Sequence, residues 1–365
     1  MKVKLKDVCE RGSSNLKQSD VLKLSGNYPI YGAAGCIGNA DFYHQENPYI
    51  AVVKDGAGIG RTTLHPAKSS IIGTMQYLLP KDCVLVEYLY YVVKHMHLEK
   101  YYTGATIPHI YFKDYKEEEF NLASLEKQAE IISVLKKCEK IIEARKQEIF
   151  QLENLVKARF VELFGDPATP GEKFKISKLG EVADVKSSHR VFTTEFVDEG
   201  VPFYRGTEIG VLASGQQPEK PYRISMEHYL KIANDDSKPM RGDLLLPSIC
   251  NKGQVWMVDT DEPFYYKDGR VLCISPDRSV FDPRYLQFYM KMRTEAEYPK
   301  LGSGSTFAEF KIFQLKELEV DIPSMNTQKA FNLFADQVDK SKVAVQKSLD
   351  KAQQLFDSLM QKYFG

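Results

Sequence analysis

The stretch Lys54-Asp-Gly-Ala-Gly-Ile-Gly-Arg-Thr-Thr63 is where residue types and spacing come nearest to chemistry, because backbone amides in a glycine-rich loop can cradle a phosphate. It lacks the GxxxxGK[ST] spacing and opens no helical pattern. Its counterpart later in the chain, Ile249-Cys-Asn-Lys-Gly-Gln-Val255, keeps one glycine, Gly253. A tight turn between two strands accounts for it better than a nucleotide site.

Other catalytic constellations fail on spacing. Asn47-Pro-Tyr49 looks like part of the NPPY motif with which amino-methyltransferases stack a flipped base, but the second proline is missing and no cofactor-binding glycine motif sits on a strand-to-helix turn. It reads as the start of a strand. The seven histidines form no HExxH, the one close pair, His95 and His97, shares no helix face, and the six cysteines lie far apart with no CxxC. Neither a metal site nor a disulfide frame is expected, and no cofactor is assigned to this chain.

What remains is recognition. Two groups of loops mix basic, hydroxyl, amide and aromatic side chains, the inventory for phosphate contacts and base-edge readout. The first holds Tyr28, Tyr31, Lys54, Arg61, Thr62, Lys68, Thr106 and His109. The second holds Lys186, Ser187, Arg190, Tyr204, Arg205, Asn251, Lys252, Arg270, Ser305 and Thr306. Taken singly, each is an ordinary solvated or turn residue. The case rests on matched positions, with Arg61 and Lys252 on equivalent strand-connecting turns and Thr106 and Thr306 on equivalent loops.

These residues must be positioned by a repeated framework. Residues 104–165 slide onto 304–365 without a gap, and Gly104, Thr106, Lys116, Glu117, Glu119, Ser124, Gln128, Lys140, Ala144, Leu155, Phe164 and Gly165 recur at an offset of 200. Lys178-Leu-Gly-Glu-Val-Ala183 echoes Lys4-Leu-Lys-Asp-Val-Cys9 at an offset of 174, so the second globular part is the first enlarged by about 26 residues. Short strands are predicted at Tyr28 to Tyr31, Tyr49 to Val53, Ile71 to Ile72 and Met75 to Leu79, then a helix from Glu87 to Lys100. In the second part strands are predicted at Val201 to Tyr204, Asp243 to Leu246, Val255 to Val258 and Arg270 to Ile274, then a helix from Pro283 to about Met292.

Each repeat ends in one long helix with an a/d seam. In the first the seam is Leu135, Ile142, Ile149, Leu152 and Val156; in the second it is Val338, Val345, Leu349, Phe356 and Leu359. Poor seam residues in one copy meet apolar ones in the other (Arg145 against Val345, Arg159 against Leu359), which predicts that the two helices pair with each other. About 40 residues make a rod of about 60 Å, a spacer or partner-docking surface. The competing expectation is that each helix packs only on its own domain.

Composition sets the limits. The chain of 365 residues has 49 basic and 49 acidic residues, so it lacks the basic footprint of a self-sufficient DNA-binding protein and needs local clusters or a basic partner. Its first ten residues show no apolar export segment and nowhere do 18 apolar residues run together, so a cytoplasmic protein without membrane insertion is expected.

The motifs Gly104-Ala-Thr-Ile-Pro-His-Ile110, Leu122-Ala-Ser-Leu-Glu-Lys-Gln128, Asp321-Ile-Pro-Ser-Met-Asn-Thr-Gln328 and Val201-Pro-Phe-Tyr-Arg-Gly206, in a unit repeated once, resemble the specificity subunit of type I restriction-modification systems over the full length. The first module departs from the last motif, with Tyr28-Pro-Ile-Tyr-Gly32 and no arginine. The resemblance implies an α+β fold with two mixed target-recognition domains, at 1–121 and 173–321, each followed by a spacer helix, at 122–165 and 322–365, with a linker at 166–172. The helices would pair as an antiparallel coiled coil with pseudo-two-fold symmetry. It further implies a non-catalytic chain whose partners are double-stranded DNA, two methyltransferase subunits acting on adenine N6 and two restriction motor subunits. S-adenosylmethionine, ATP and Mg would sit on those partners. A scaffold whose modules bind protein stays open as the alternative.

Overall fold

The computed structural model describes residues 1–104, 108–301 and 308–365. Two compact units result, one of Met1–Glu148 with Ala344–Gly365, the other of Ile149–Val343. No helix among the described residues is long and apolar enough to cross a membrane.

The first unit contains β1 (Lys2–Lys4), α1 (Leu5–Val8), β2 (Cys9–Ser13), α2 (Gln18–Val21), β3 (Tyr28–Gly32), β4 (Gly35–Ala40), β5 (Tyr49–Val53), β6 (Thr62–His65), β7 (Ser70–Ile71), β8 (Met75–Pro80), α3 (Val86–His95), α4 (Phe112–Tyr115), β9 (Glu119–Asn121) and the first part of α5 (Leu125–Phe164). The strands form an antiparallel sheet in the order β2-β8-β5-β6, a smaller sheet β4-β3-β7 in which β3 and β7 are parallel, and the pair β1-β9. All five residues of β5 are buried because both faces of the sheet are covered. Tyr49, Ala51 and Val53 pack with Ile71, Met75 and Tyr77, while Ile50 and Val52 pack with Leu5, Leu89, Val92 and Leu135.

The glycine-rich run is the hairpin connection between β5 and β6. Gly56, Gly58 and Gly60 all have positive φ, and a Cβ on Gly60 would lie 2.5 Å from the amide nitrogen of Glu99. Turn geometry and close approach therefore explain these glycines. The helix predicted to reach Lys100 stops at His95, because His97 is left-handed at φ 51° and a 3₁₀ turn covers Leu98–Tyr101.

The second unit repeats this order with β10 (Ile176–Lys178), α6 (Leu179–Val182), β11 (Ala183–Lys186), β12 (Phe196–Tyr204), α7 (Gly206–Ala213), β13 (Tyr222–Ile224), α8 (Met226–Ile232), β14 (Leu244–Pro247), β15 (Trp256–Met257), β16 (Tyr265–Tyr266), β17 (Val271–Pro276), α9 (Pro283–Glu297), α10 (Ile312–Lys316), β18 (Glu319–Asp321) and the first part of α11 (Met325–Phe364). Its sheets are β11-β17-β14-β15, β13-β12-β16 and β10-β18, strand for strand those of the first unit. The added length is α7, inserted where β3 and β4 turn directly, and α8 before β14. Helix α9 runs to Glu297, past the predicted Met292; Asp282 caps it by accepting from the Arg284 amide at 3.0 Å, with Pro283 in the first turn.

Each long helix contributes to both cores. In the first unit Ile131, Leu135 and Ile142 of α5 pack with Leu349, Phe356, Leu359 and Met360 of α11. In the second, Leu152, Val156 and Phe160 of α5 pack with Phe331, Ala335 and Val338 of α11. The early part of one helix thus meets the late part of the other in each unit, an antiparallel pair. Small Ala335 shares its core with large Phe160, as Leu135 shares its own with Phe356 and Met360. The helix ends also dock on the modules, Phe364 against Tyr88 with centroids 5.3 Å apart and Phe164 against Tyr285 at 4.8 Å.

The joint between module and helix is the same in both units. Gln128 is fully buried; its oxygen accepts from the Leu85 amide at 2.8 Å and its nitrogen donates to the carbonyls of Cys83 and Ala123 at 3.0 and 2.9 Å. Gln328, equally buried, accepts from Asp282 at 2.8 Å and donates to Val280 and Pro323 at 2.8 and 2.9 Å. A buried amide with its partners in place is held in one orientation, and so is the first turn of the helix that carries it.

Candidate nucleic-acid interface

Two loops of equal length stand at equivalent places, 54–61 between β5 and β6 and 248–255 between β14 and β15. Each is held by the strand-like segment leading toward the long helix. The Ile110 amide donates to the Lys54 carbonyl at 3.0 Å, and the Phe310 amide donates to the Ser248 carbonyl at 2.8 Å.

In the second module this loop, the start of α7 and the turn from β16 to β17 enclose a groove of about 710 Å³. Arg205, Asn251, Gln254, Lys267 and Arg270 line it. Gly206 lets α7 start against β14, since a Cβ there would lie 3.1 Å from that of Pro247. Each cation of the groove has its own carboxylate. Arg205 donates through Nε and Nη2 to buried Glu208 at 3.1 and 2.7 Å and lies 4.6 Å over the Tyr222 ring. Lys267 pairs with Asp268 at 2.9 Å, and Arg270 donates to Glu309 at 2.7 Å. Burial opposes the charge of Glu208, yet the bonds from Arg205 hold its carboxyl below the usual range. The Lys311 ammonium, with Arg270 behind it, does the same for Glu309. The groove therefore offers oriented donors with little net charge, which suits base edges more than phosphates.

In the first module the equivalent cluster is smaller and differently paired. Arg61 donates to the Ala33 carbonyl at 2.5 Å, across the turn from β3 to β4. Lys54 pairs with Asp55, which also meets His109 Nδ1 at 2.7 Å, and the Gly56 amide donates to the Pro108 carbonyl at 3.0 Å. His109 stacks on Tyr111 with centroids 6.3 Å apart. Beside this cluster lies a cavity of about 440 Å³ lined by Leu16, Ala33, Ile37, Ile72 and Thr74.

The other nominated residues have different surroundings. Tyr28 packs edge-on against Tyr43 at 4.8 Å, and Tyr31 against His65 at 4.5 Å. Thr62 is buried and donates to the Gly60 carbonyl at 3.3 Å, whereas Lys68, at φ 54°, is exposed beside Glu46. Ser187 donates to the Val271 carbonyl and accepts from the Gly269 amide at 3.0 and 2.9 Å, so it shapes the turn that carries Arg270. Lys186 sits 3.3 Å from Asp184, Arg190 lies 5.2 Å over Phe192, and Tyr204 packs against Trp256 and Phe264. Lys252 is on the same loop as Asn251 but lines a second cavity of about 380 Å³ with Lys157, Lys291 and Lys342. With the loop ends aligned, Lys252 matches Gly58, and Arg61 matches Val255. Thr106, Ser305 and Thr306 lie outside the described residues.

Sequence reasoning passed over Glu208, Glu309, Gln254 and Lys267. The Arg205-x-x-Glu208 spacing of a capping box was the available signal for the first; the others depend on which turns meet in space.

Comparison with known proteins identifies this architecture. The family described as type I restriction modification DNA specificity domain matches residues 1–154 and 171–353. The type I restriction enzyme MjaVIII specificity subunit of Methanocaldococcus jannaschii is 26% identical over 318 residues, covering 80% of this chain and 72% of that one. The crystal structure of the type I restriction-modification S subunit from M. genitalium superposes with a TM-score of 0.59 at 16% identity, over 100% of this chain and 96% of that one. A chain from a structure of type I R-M complex assembly and conformational transition gives 0.59 at 15%, over 100% and 97%. With the strand order repeated and the family match spanning both repeats, the chain belongs to the type I restriction-modification DNA specificity family.

Proposed function

We propose that this chain is the sequence-specific DNA-recognition subunit of a type I restriction-modification complex and carries no catalytic site of its own. Each module reads one half of a bipartite, asymmetric DNA site. The paired helices fix the gap between the halves and dock two methyltransferase subunits that methylate adenine N6. Two restriction motor subunits complete the cutting assembly, and S-adenosylmethionine, ATP and Mg belong to these partners.

One observation carries the reading. A single scaffold occurs twice with the same strand order, yet the equivalent loops present different donors and acceptors, Arg61, Lys54 and His109 in one and Asn251, Arg205 and Arg270 in the other. Base sequence is distinguished by such patterns of donors and acceptors, so different loops on one scaffold suit two different half-sites. The pairing of every groove cation with a carboxylate fits the zero net charge, and leaves phosphate neutralisation to partner subunits.

The test is a genome-wide map of N6-methyladenine in cells with and without this chain, the methyltransferase being present in both. Loss of one bipartite motif on deletion is expected, and exchange of the first module should change one half of that motif only. An unchanged map, together with no DNA retention by the purified complex, would overturn the proposal and favour a scaffold whose modules bind protein.

A further inference from the structure

The joint between module and helix has one component that reverses sign between the two units. The bonds to Gln128 and Gln328 align α3 with α9: Leu85 stands where Asp282 stands, Glu87 where Arg284 stands, and Tyr88, Leu89 and Lys94 where Tyr285, Leu286 and Lys291 stand. On the helices, Lys136 corresponds to Asp336 and Glu139 to Asp339. Glu87 pairs with Lys136 at 3.0 Å in the first unit. In the second, Arg284 pairs with Asp336 at 3.1 Å and with Asp339 at 2.5 Å. Both members of the pair have changed sign, while the glutamine, the tyrosine under the helix end and the lysine two turns on have not.

We propose that this reversed pair is a positional key, which decides on which helix each module can be seated. The glutamine bonds only to main-chain atoms, so the backbone of either module fits either helix. Charge breaks that equivalence. Seated on α11, the first module would set Glu87 against both Asp336 and Asp339, with only Lys94, which lies 3.6 Å from Glu139 in the first unit, to offset Asp339. Seated on α5, the second module would set Arg284 against Lys136 but still beside Glu139, which keeps one partner. The key therefore bars the first module from the second position more firmly than the reverse. Glu87 and Arg284 are half-buried, their side chains 32% and 25% exposed, so repulsion at these positions is less screened than at a free surface. The key acts on assembly, whether or not the modules read DNA.

Two full-length chimaeras test it, one carrying the first module at both positions and one carrying the second at both, followed by thermal unfolding. The chimaera with two first modules should unfold at the lower temperature. Glu87→Arg in its copy before α11 should raise the midpoint, while the same substitution in the native chain should lower it. A midpoint that falls or stays put on Glu87→Arg before α11 would overturn the key. Should that chimaera fail to fold, the native chain still decides. Glu87→Lys and Lys136→Glu should each lower the midpoint by about 2–4 °C, and the double variant should recover most of the loss. Losses that simply add in the double variant would overturn it as well.

Discussion

At the joints, Gln128 and Gln328 make the same three bonds to main-chain atoms, although the modules around them share few residues. At the loops 54–61 and 248–255 the lengths match and the anchoring bond from Ile110 or Phe310 matches, but with ends aligned no position shares a residue. The difference lies in what each region bonds to. A side chain that uses backbone groups as partners tolerates any sequence there, whereas side chains facing outward from a fixed backbone are free to vary and can acquire specificity.

The largest expected effect would break the first half of that contrast. Gln128→Leu and Gln328→Leu each leave buried main-chain groups without partners, and each should destabilise its unit by about 3–5 kcal/mol. Denaturant unfolding should show similar losses for the two; a large loss for one alone would mean the joints are not equivalent. A smaller effect separates the modules by pH. His65 is buried between Tyr31 and Tyr49, its Nε2 bonded to Thr63, and burial pushes its pKa down to about 4, with no counterpart in the second module. A depressed folded pKa gives stability that is full above about 6.5, the unfolded value, and lost as pH falls through about 4. His65 should cost the first unit on the order of 2–3 kcal/mol over that window, and His65→Phe should remove that share, leaving the part due to His44 and His95, which burial also holds down, both measured by hydrogen exchange of β5 amides. The smallest effect sharpens the second half. Arg270→Ala should cost about 1–3 kcal/mol of discrimination at one base position while leaving the other half-site unchanged, read from binding to a panel of single-base variants. Uniform weakening over all sequences would make Arg270 a phosphate contact instead.

The gap-free recurrence of 104–165 at 304–365 made the repeat, the long helices and their mutual seam legible, because apolar spacing along a helix reports the face it buries. The strand runs at Tyr49 to Val53 and Arg270 to Ile274 were equally plain, the second strand starting one residue later, at Val271. Local patterns could not say which turns meet. Arg205, Asn251 and Arg270 share a groove only because α7 fills the hairpin between β12 and β13, and Lys252, next to Asn251 in sequence, faces another cavity. The partners of charged groups were hidden for the same reason: Arg270 finds Glu309 across 39 positions, and nothing in either segment alone announces the pair. Gln128 and Gln328 stood out as identities, but their role lay in backbone atoms that no residue pattern encodes.

Residues 344–365, the segment that completes the first unit, are made only after the whole of the second unit. When the ribosome has finished α5, the side chains of Leu135 and Ile142 have a module on one side and no Phe356 or Met360 on the other. Translation at ordinary rates needs about 10–40 s to add the next 200 residues, far longer than a helix takes to form. The nascent chain therefore carries an open apolar seam for that whole interval. The second module has to fold beside it, and its own share of the seam is available for pairing before the first unit can close.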